Sequence, residues 1–510
     1  MRLNISRLSV SAVALMTSTA VIAEAETYES SAYDDINEIV ITGRNIGQIG
    51  SVTAGSSGTV GYDDFKNRPI TRVGEILEVV PGLVATQHSG TGKANQYFLR
   101  GFNLDHGTDF STSVDGVQVN FRSHGHGQGY TDLNFIIPEI VERVDFRKGT
   151  YHPDAGDFST AGDAKIKTYD SLDRGFVDLS VGAFGFRRAV AAASFDLGSD
   201  TALLTAVEGH TYDSPFDLNE DLEKLNAFVK LSGRSSTLNW RVAFSAYDAS
   251  WNATDQIPQR AVESGLVGRF GFIDPDLGGN TTRYGLTANV QTTTSDITAY
   301  FIDYDFNLFS NFTYFLNDPV RGDEFEQFDN RQVFGLKSNR HWHFESTVPI
   351  SLIVGQDFRF DDIGNVGLFG TENRTRHTLV RSDSVEELSL AVYGKLAIEP
   401  RPDLRLELGL RGDSYHVKVD ATRPENSGKE NDAILSPSVS LAWKASDPVE
   451  LYANYGENFH SNDARGATIQ TDPVSGADVS SVPLLVKARG AELGARYETP
   501  AFKASIVGVW

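Results

Sequence analysis

Apolar and polar residues alternate along most of the region 174–510, and this alternation limits the folds open to the chain. In the clearest stretch, four leucines would face one side of a strand and three charged residues the other: Leu404, Leu406, Leu408 and Leu410 against Arg405, Glu407 and Arg411. A period of two predicts half-buried β-strands, and the region contains about fifteen candidates. Because a soluble β-sandwich shows the same alternation, the pattern alone does not identify a membrane protein.

The connections between these strands favour a membrane barrel. Short turns are predicted at 198–200, 233–235, 293–295, 400–402, 446–448 and 499–500. Long polar loops are predicted at 249–280, 307–330, 362–384, 418–432 and 459–487. Tight turns at one rim and long loops at the other are typical of a transmembrane β-barrel. Aromatic residues near strand ends suit either an interfacial girdle or an ordinary core: Phe184, Phe186, Tyr212, Tyr247, Trp251, Tyr304, Phe306 and Tyr415.

The strand count predicts an incomplete barrel. An odd number of strands is unusual for bacterial barrels, and the last candidate, 502–510, stops where the sequence stops. A barrel left open would expose unpaired backbone groups to lipid, which is costly. We therefore expect the chain to be a fragment, truncated at its C-terminus.

The N-terminal region predicts export. Residues 1–25 show a positive start at Arg2 and Arg7, an apolar run and a small-x-small cleavage site, which is the pattern of a signal peptide. Residues 26–62 contain a short extended run and a stretch rich in Gly, Ser and Thr that reads as a linker. The chain has no cysteine, which excludes a disulfide framework. The formal net charge of −23 argues against a nucleic-acid partner.

Between these regions, 63–172 has the pattern of a compact α+β domain. An amphipathic helix is predicted over 71–82, where Thr71 can cap the start and Pro81-Gly82 ends it. Short strands are predicted at 96–100, 113–114, 118–120 and 141–147. Asp115-Gly116 between the middle two is a tight hairpin signal.

Five motifs of this domain occur in the order found in the TonB-dependent outer-membrane receptors. They are Val79-Val80-Pro81-Gly82-Leu83, Phe98-Leu99-Arg100-Gly101-Phe102, Val114-Asp115-Gly116-Val117-Gln118-Val119, 141–149 and 154–158. Upstream, the run Glu38, Ile39, Val40, Ile41 and Thr42 is similar to the TonB box of that family. The chain therefore resembles a TonB-dependent outer-membrane receptor.

The resemblance implies a fold that is mainly β. A partial antiparallel transmembrane β-barrel (173–510) would enclose a small α+β plug domain (63–172) in the outer membrane of a Gram-negative bacterium. It also implies two partners besides the lipid: a small-molecule ligand, and the periplasmic domain of TonB with its inner-membrane energising complex. TonB would pair with Glu38–Thr42 as an added strand.

The plug motifs supply candidate structural residues. Charged side chains could form ion pairs within the polar lumen, and glycines permit turns. We single out Arg100, Gly101, Asp115, Gly116, Glu142, Arg143, Lys148 and Gly149, with Asp145 as a further candidate for pairing. A purely structural role is as compatible with the sequence as a role in transport.

The sequence 121–132, FRSHGHGQGYTD, supplies the candidate ligand-binding residues. The resemblance places it at the plug apex, where His88 and His106 from other plug loops could join it. The expected ligand-binding set is His88, His106, Arg122, His124, His126, Gln128 and Tyr130. His124 and His126 are candidate metal ligands, since imidazole suits transition metals, although their spacing is not that of a preformed helical zinc site. Solvated, incidental histidines are the alternative.

These observations lead to one main function and two alternatives. The main hypothesis is energy-coupled uptake of a scarce nutrient, with a ferric siderophore or other metal chelate ahead of cobalamin and carbohydrates. Haem is disfavoured because His460, Ser461 and Asn462 replace the Arg-Ala-Pro of the haem receptors. The alternatives are a periplasmic metal-dependent hydrolase that uses the plug histidines, and a passive porin. On the main hypothesis the protein is not an enzyme and needs no cofactor.

Overall fold

One antiparallel sheet of fifteen strands dominates the structure, a computed structural model that describes residues 49–50 and 56–510. Each strand pairs with its neighbours in sequence. The strands are β9 (Phe176–Val181), β10 (Arg187–Gly198), β11 (Thr201–Tyr212), β12 (Leu222–Arg234), β13 (Leu238–Asn252), β14 (Gly278–Thr292), β15 (Ser295–Ser310), β16 (Phe325–Phe344), β17 (Ile350–Glu372), β18 (Thr375–Arg401), β19 (Leu404–Asp420), β20 (Gly428–Ser446), β21 (Val449–Ser461), β22 (Leu485–Glu498) and β23 (Lys503–Val509). The strand count predicted from the alternation is confirmed.

Apolar side chains of this sheet face outward and charged side chains face inward. On β19, Leu408 and Leu410 are 41% and 53% exposed, whereas Arg405, Glu407 and Arg411 are at most 8% exposed. This is the reverse of a water-soluble β-protein, in which the apolar face is buried. It is the arrangement of a transmembrane barrel with a polar lumen.

The connections follow the predicted short and long order, with two differences. The segment 362–384, expected to be a loop, belongs to the strands β17 and β18, which meet in a tight turn at Asn373 and Arg374. Three register shifts between these strands break the period of two, so the sequence does not read as strand there. The expected loop 418–432 is likewise shorter, because only 421–427 connects β19 to β20.

Of the two interpretations of the strand-end aromatics, the core position applies to most of them. Tyr247, Trp251, Tyr304, Phe306 and Tyr415 are at most 2% exposed. They lie on the inner face of the sheet, where they contact the plug or one another. Of the eight candidates, Phe184 is exposed.

The plug consists of two small sheets inside the barrel. One has the order β1-β7-β8-β5-β6 and the other β2-β3-β4. Their strands are β1 (Ser57–Gly61), β2 (Leu83–Thr86), β3 (Gln96–Leu99), β4 (Phe102–Asn103), β5 (Phe110–Val114), β6 (Val117–Gln118), β7 (Val141–Lys148) and β8 (Gly162–Thr168). The short helices are α1 (Tyr62–Phe65) in the plug, and α2 (Gln259–Glu263) and α3 (Ala464–Thr468) in barrel loops. A 3₁₀ segment runs over Val73–Val79, and single 3₁₀ turns occur at Pro138–Ile140 and Pro424–Asn426.

Several expected details of the plug need adjustment. The helix expected over 71–82 is the 3₁₀ segment Val73–Val79, in which Ile76 and Leu77 are fully buried. Strand β1 lies in the stretch interpreted as linker and pairs with β7, so the plug sheet begins before residue 63. The Asp115-Gly116 hairpin is observed, with positive φ at both residues and Val114 paired with Val117.

One set of barrel–plug contacts is made to plug backbone carbonyls. Arg331 Nη1 donates to the carbonyl oxygen of Arg122 at 2.6 Å, and Arg359 Nη1 donates to that of Asn120 at 3.0 Å. Three further contacts of this kind are Arg465 Nη2 to His124, Lys230 Nζ to Thr168 and Arg411 Nη1 to Pro153. Cationic barrel side chains thus satisfy buried carbonyls that would otherwise be costly.

No helix among the described residues is long and apolar enough to cross a membrane. The expected signal peptide and the run Glu38–Thr42 lie outside the described residues.

Candidate functional site

The FRSHGHGQGY segment forms a closed loop, which we name the histidine loop (residues 121–130). Its ends pair as an antiparallel bridge, Phe121 with Tyr130. The loop lies toward the ends of the barrel strands that carry the long loops. There Gly125 N donates to Asp329 Oδ2 at 3.0 Å, and the side chain of Ser123 donates to Glu387.

His124 is packed inside this loop. Its ring is fully buried and stacks on Tyr130 with centroids 4.1 Å apart. Nδ1 accepts a hydrogen bond from His126 N at 3.1 Å, and Nε2 lies 3.1 Å from the hydroxyl of Tyr304. Because both ring nitrogens are engaged, the geometry does not favour His124 as the metal-ligating partner of His126.

His126 instead contacts His106, which lies on a separate plug loop. Their Nε2 atoms lie 3.2 Å apart. His106 is 4% exposed, and its Nδ1 lies 2.9 Å from the carbonyl oxygen of Asn95. His126 is half-buried, and its Nδ1 lies 2.8 Å from Gln327 Oε1 on β16. The structure therefore joins two of the predicted histidines, although in a different pairing from the one expected.

Burial keeps these imidazoles neutral. Desolvation, followed by the neighbouring Lys93 charge, lowers the pKa of His126 to about 3. Desolvation, with smaller contributions from His126 and Lys93, lowers the pKa of His106 well below its usual value. Neutral imidazole is the form that binds metal ions.

His88 and Lys93 extend the cluster on its other side. The His88 ring centroid lies 5.2 Å from that of His106, and His88 Nε2 lies 3.1 Å from Lys93 Nζ. Lys93 is 1% exposed, and desolvation lowers its pKa to about 8. Desolvation, then the Lys93 charge, lowers the pKa of His88 to about 4.

His88 also borders a cavity of about 780 Å³ between the plug and the long-loop end of β11–β14. Aromatic walls and polar groups alternate around it, including Phe186, Tyr212, Arg72 and Glu220. Among the described residues, four that line it carry a buried polar atom without a hydrogen-bond partner: Gln87 Oε1, His88 Nδ1, His210 Nε2 and Ser214 Oγ. Volume and lining suit a small organic ligand.

The other predicted ligand residues, Arg122, Gln128 and Tyr130, belong to the histidine loop and bond to the barrel or to the plug. Arg122 is buried, pairs with Asp157 and donates to Ser389 and Tyr415 of the barrel. The Tyr130 hydroxyl accepts from Ala94 N, and Gln128 donates to Asn462.

The plug-motif residues form the ion pairs and turns of the plug. Arg100 and Asp115 reach barrel residues, whereas the other charges pair within the plug. The contacts are Arg100 to Glu492 at 3.8 Å, Lys230 to Asp115 at 3.2 Å, Arg143 to Glu142 at 3.2 Å and Asp145 at 3.1 Å, and Lys148 Nζ to the Pro81 carbonyl at 3.1 Å. Gly101, Gly116 and Gly149 have positive φ.

Lys93, Gln327, His210 and Asp157 contact the candidate site or its cavity but were not among the predicted site residues. Lys93 is five residues from His88 in a predicted plug loop, so its charge was the available signal. Gln327 and His210 lie on barrel strands remote in sequence, and only the folding of the sheet around the plug brings them near the cluster.

A separate acidic group could hold a cation. Ligand oxygens of Asp274, Asp276 and Glu324 lie within 4.8 Å of one another on two long loops. Glu324 is already engaged by Thr371 Oγ1 and Arg374 N, and Asp274 by Asn311. These contacts join the loops without requiring an ion.

Fold and site together define a class: a transmembrane barrel whose lumen is filled by a plug that presents imidazoles and a cavity toward the long loops. Residues 51–162 match the TonB-dependent Receptor Plug Domain, and residues 225–508 match the model described as TonB dependent receptor-like, beta-barrel. The chain therefore belongs to the TonB-dependent receptor family. Its place is the outer membrane of a Gram-negative bacterium.

Solved structures agree with this fold. The ferric citrate transporter FecA in its unliganded form superposes with a TM-score of 0.71 at 15% identity, over 89% of this chain and 69% of that one. The copper transporter OprC gives 0.69 at 15% identity, over 89% and 72%. The ferric yersiniabactin receptor FyuA from Yersinia pestis gives 0.66 at 17% identity, over 89% and 71%. At these identities the likeness establishes the fold alone.

Family membership also bears on the alternatives. The family consists of receptors and transporters rather than enzymes. The hydrolase hypothesis required a water-soluble fold, which the outward apolar face excludes. A passive porin needs no plug in its lumen, so the plug argues against the porin hypothesis.

Proposed function

We propose that the protein takes up a metal chelate across the outer membrane, driven by TonB. The single observation that carries the proposal is the cavity of about 780 Å³, which contacts the imidazole cluster through His88. An organic chelator can occupy the cavity while its metal approaches the imidazoles. Transport of ferric citrate, copper and ferric yersiniabactin, as named for the similar structures, supports metal cargo.

The plug makes coupling necessary. Contacts such as the ion pair between Lys230 and Asp115 and the bond from Arg331 to the Arg122 carbonyl support a plug that is fixed inside the lumen, so passage of a ligand of this size requires the plug to move. An outer membrane has no nucleotide energy source, and a pulled N-terminal segment supplies the work. The run Glu38–Thr42 is the proposed TonB-binding segment, which pairs as an added strand.

The test is uptake by cells that depend on the full-length protein under metal limitation. A panel of chelates of iron, copper, nickel, zinc and cobalt is compared with and without residues 38–42. Deletion of residues 28–32, five residues of the neighbouring polar stretch, serves as the matched control. We expect the first deletion to abolish uptake of one panel member and the control to preserve it. Uptake that survives deletion of 38–42 would refute coupling through this segment.

The cavity is tested separately. His88→Ala and His210→Ala should weaken binding of the transported chelate, whereas His416→Ala, on the outer face of β19, should not. Equal binding by all three variants would remove the cavity from the proposal.

A further inference from the structure

The hydrogen-bond partner of His106 determines which of its ring nitrogens carries the proton. Nδ1 lies 2.9 Å from the carbonyl oxygen of Asn95, and a carbonyl oxygen can only accept. The Nδ1 of His106 must therefore be the N–H. In the neutral ring, Nε2 then presents a lone pair.

The same reasoning applies to His126. Its Nδ1 lies 2.8 Å from Gln327 Oε1, and the amide orientation is fixed because Gln327 Nε2 donates to the carbonyl of Gly125 at 3.2 Å. Nδ1 of His126 is thus the donor, and its Nε2 also presents a lone pair. The two lone pairs face each other across 3.2 Å.

Two lone pairs on nitrogens this close repel unless a cation binds both of them. A shared proton would create an imidazolium in a desolvated site that already faces the ammonium of Lys93. A metal ion removes the repulsion without that penalty when it arrives with its own anionic ligands. Two nitrogen ligands of a tetrahedral ion, at metal–nitrogen distances of about 2.0–2.1 Å, lie about 3.3 Å apart. The observed separation is therefore nearly that of a ligand pair.

The surroundings also match those of metal-binding histidines. Such residues donate their other N–H to a backbone carbonyl or a similar acceptor, which fixes the ring. Asn95 and Gln327 supply these acceptors. His126 retains solvent contact, and His88 leads from the cavity to His106, so an ion has an approach.

We propose that His106 Nε2 and His126 Nε2 directly ligate a divalent transition-metal ion such as Zn²⁺, Ni²⁺ or Cu²⁺. This inference rests on the proposed function and narrows its cargo to labile complexes of such ions, for which imidazole is a suitable ligand. Two protein ligands leave positions open for water or for chelator atoms. A chelate whose donors fill every position of its metal cannot use this site.

The test is metal binding by the purified full-length protein in detergent. Zn²⁺ titration by calorimetry should show one site that His106→Ala or His126→Ala abolishes and His416→Ala leaves intact. X-ray absorption at the zinc edge should show two imidazole ligands. Gln327→Ala, which leaves both ligands in place and removes the acceptor of His126, should weaken binding about 10- to 100-fold.

Thermal unfolding without metal checks that each variant is folded, and if both alanine variants fail to fold, the Gln327→Ala titration decides. Absence of Zn²⁺, Ni²⁺ and Cu²⁺ binding, or binding that none of the three variants changes, would overturn the inference. Uptake that still depends on residues 38–42 would then leave the proposed function standing. Conversely, uptake that does not depend on residues 38–42, together with intact metal binding, would refute the proposed function and support the metal site at His106 and His126.

Discussion

Arg122 and Asp157 form a buried ion pair inside the plug, with Nε 3.1 Å from Oδ2, and both side chains also reach the barrel. The Tyr415 hydroxyl lies 2.8 Å from Arg122 Nη2 and 2.9 Å from Asp157 Oδ2. Asp157 further accepts from the backbone N and Oγ of Ser461 at 2.8 and 2.7 Å. This pair is therefore a junction between the histidine loop and the barrel wall.

Asp157→Asn should loosen the plug. Loss of the carboxylate charge leaves Arg122 buried without its nearest counter-ion, a change that costs about 3–5 kcal/mol. The chain has no cysteine, so single cysteines introduced into the plug report its unfolding in urea by labelling. Asp163→Asn, which removes one of the two partners of Arg147 within the plug, is the comparison; Arg147 keeps Asp154, so a smaller loss is expected. Equal urea midpoints for Asp157→Asn and the wild type would contradict a junction at this pair.

Gly125→Ala should displace the histidine loop. A Cβ at this position would lie 2.6 Å from the carbonyl oxygen of Phe328 on β16, which the sheet holds in place. Overpacking of this kind costs about 1–3 kcal/mol, and tenfold in affinity corresponds to about 1.4 kcal/mol. We expect chelate binding to weaken about tenfold or more, measured by calorimetry. Gly209→Ala on β11, where a Cβ meets nothing within 4 Å, should bind as the wild type does; a similar loss there would point to a general effect on folding.

Asp132 should make plug stability depend on pH. Desolvation raises its pKa from the ordinary aspartate value of 3.8 to about 6. The folded plug therefore binds this proton more tightly than the unfolded chain, and stability falls as the pH rises from about 4 to about 6, by up to about 3 kcal/mol. Asp132→Asn keeps an acceptor for Asn134 N and removes the charge. Its melting temperature should exceed that of the wild type by more at pH 8 than at pH 5, whereas the exposed Asp173→Asn should show no such trend. If the melting temperatures of Asp132→Asn and the wild type differ by the same amount at both pH values, the pKa of Asp132 is not raised.

Arg374→Ala should release the loop that precedes β14. The guanidinium donates to the carbonyls of Asp276 at 2.5 Å and Leu277 at 2.8 Å, and to Asn252 Oδ1 at 2.9 Å. Arg374 also occupies a positive φ, 55°, which these contacts offset. Because the residue is exposed, we expect a loss of about 1–2 kcal/mol, seen as faster hydrogen exchange at 274–277. Glu372→Ala on the same hairpin should leave hydrogen exchange at 274–277 unchanged. Equal acceleration in both variants would show that the Arg374 side-chain contacts do not hold this loop.

The sequence carried enough information for the barrel because period two and connection length are local properties. The leucines and charges of β19 alternate as predicted, and the fifteen strands and most turns follow. The prediction failed at 362–384, where register shifts between β17 and β18 interrupt the alternation. A bulge moves side chains to the other face without changing composition, so no local pattern reveals it.

The residues of the candidate site could be proposed from the sequence, but their arrangement could not. His106 and His126 were both candidates, yet their contact depends on how two plug loops fold against each other. His124 and His126 appeared to be partners because they are close in sequence. Stacking on Tyr130 and the Tyr304 hydroxyl, which is 180 residues away, give His124 a different role.

Barrel arginines bind plug backbone carbonyls, which every residue type carries. The bonds from Arg331 and Arg359 to the carbonyl oxygens of Arg122 and Asn120 do not involve the side chains of these two residues. These carbonyl contacts therefore persist when a side chain in this part of the plug changes, so the plug can vary in sequence while part of its attachment to the barrel is retained.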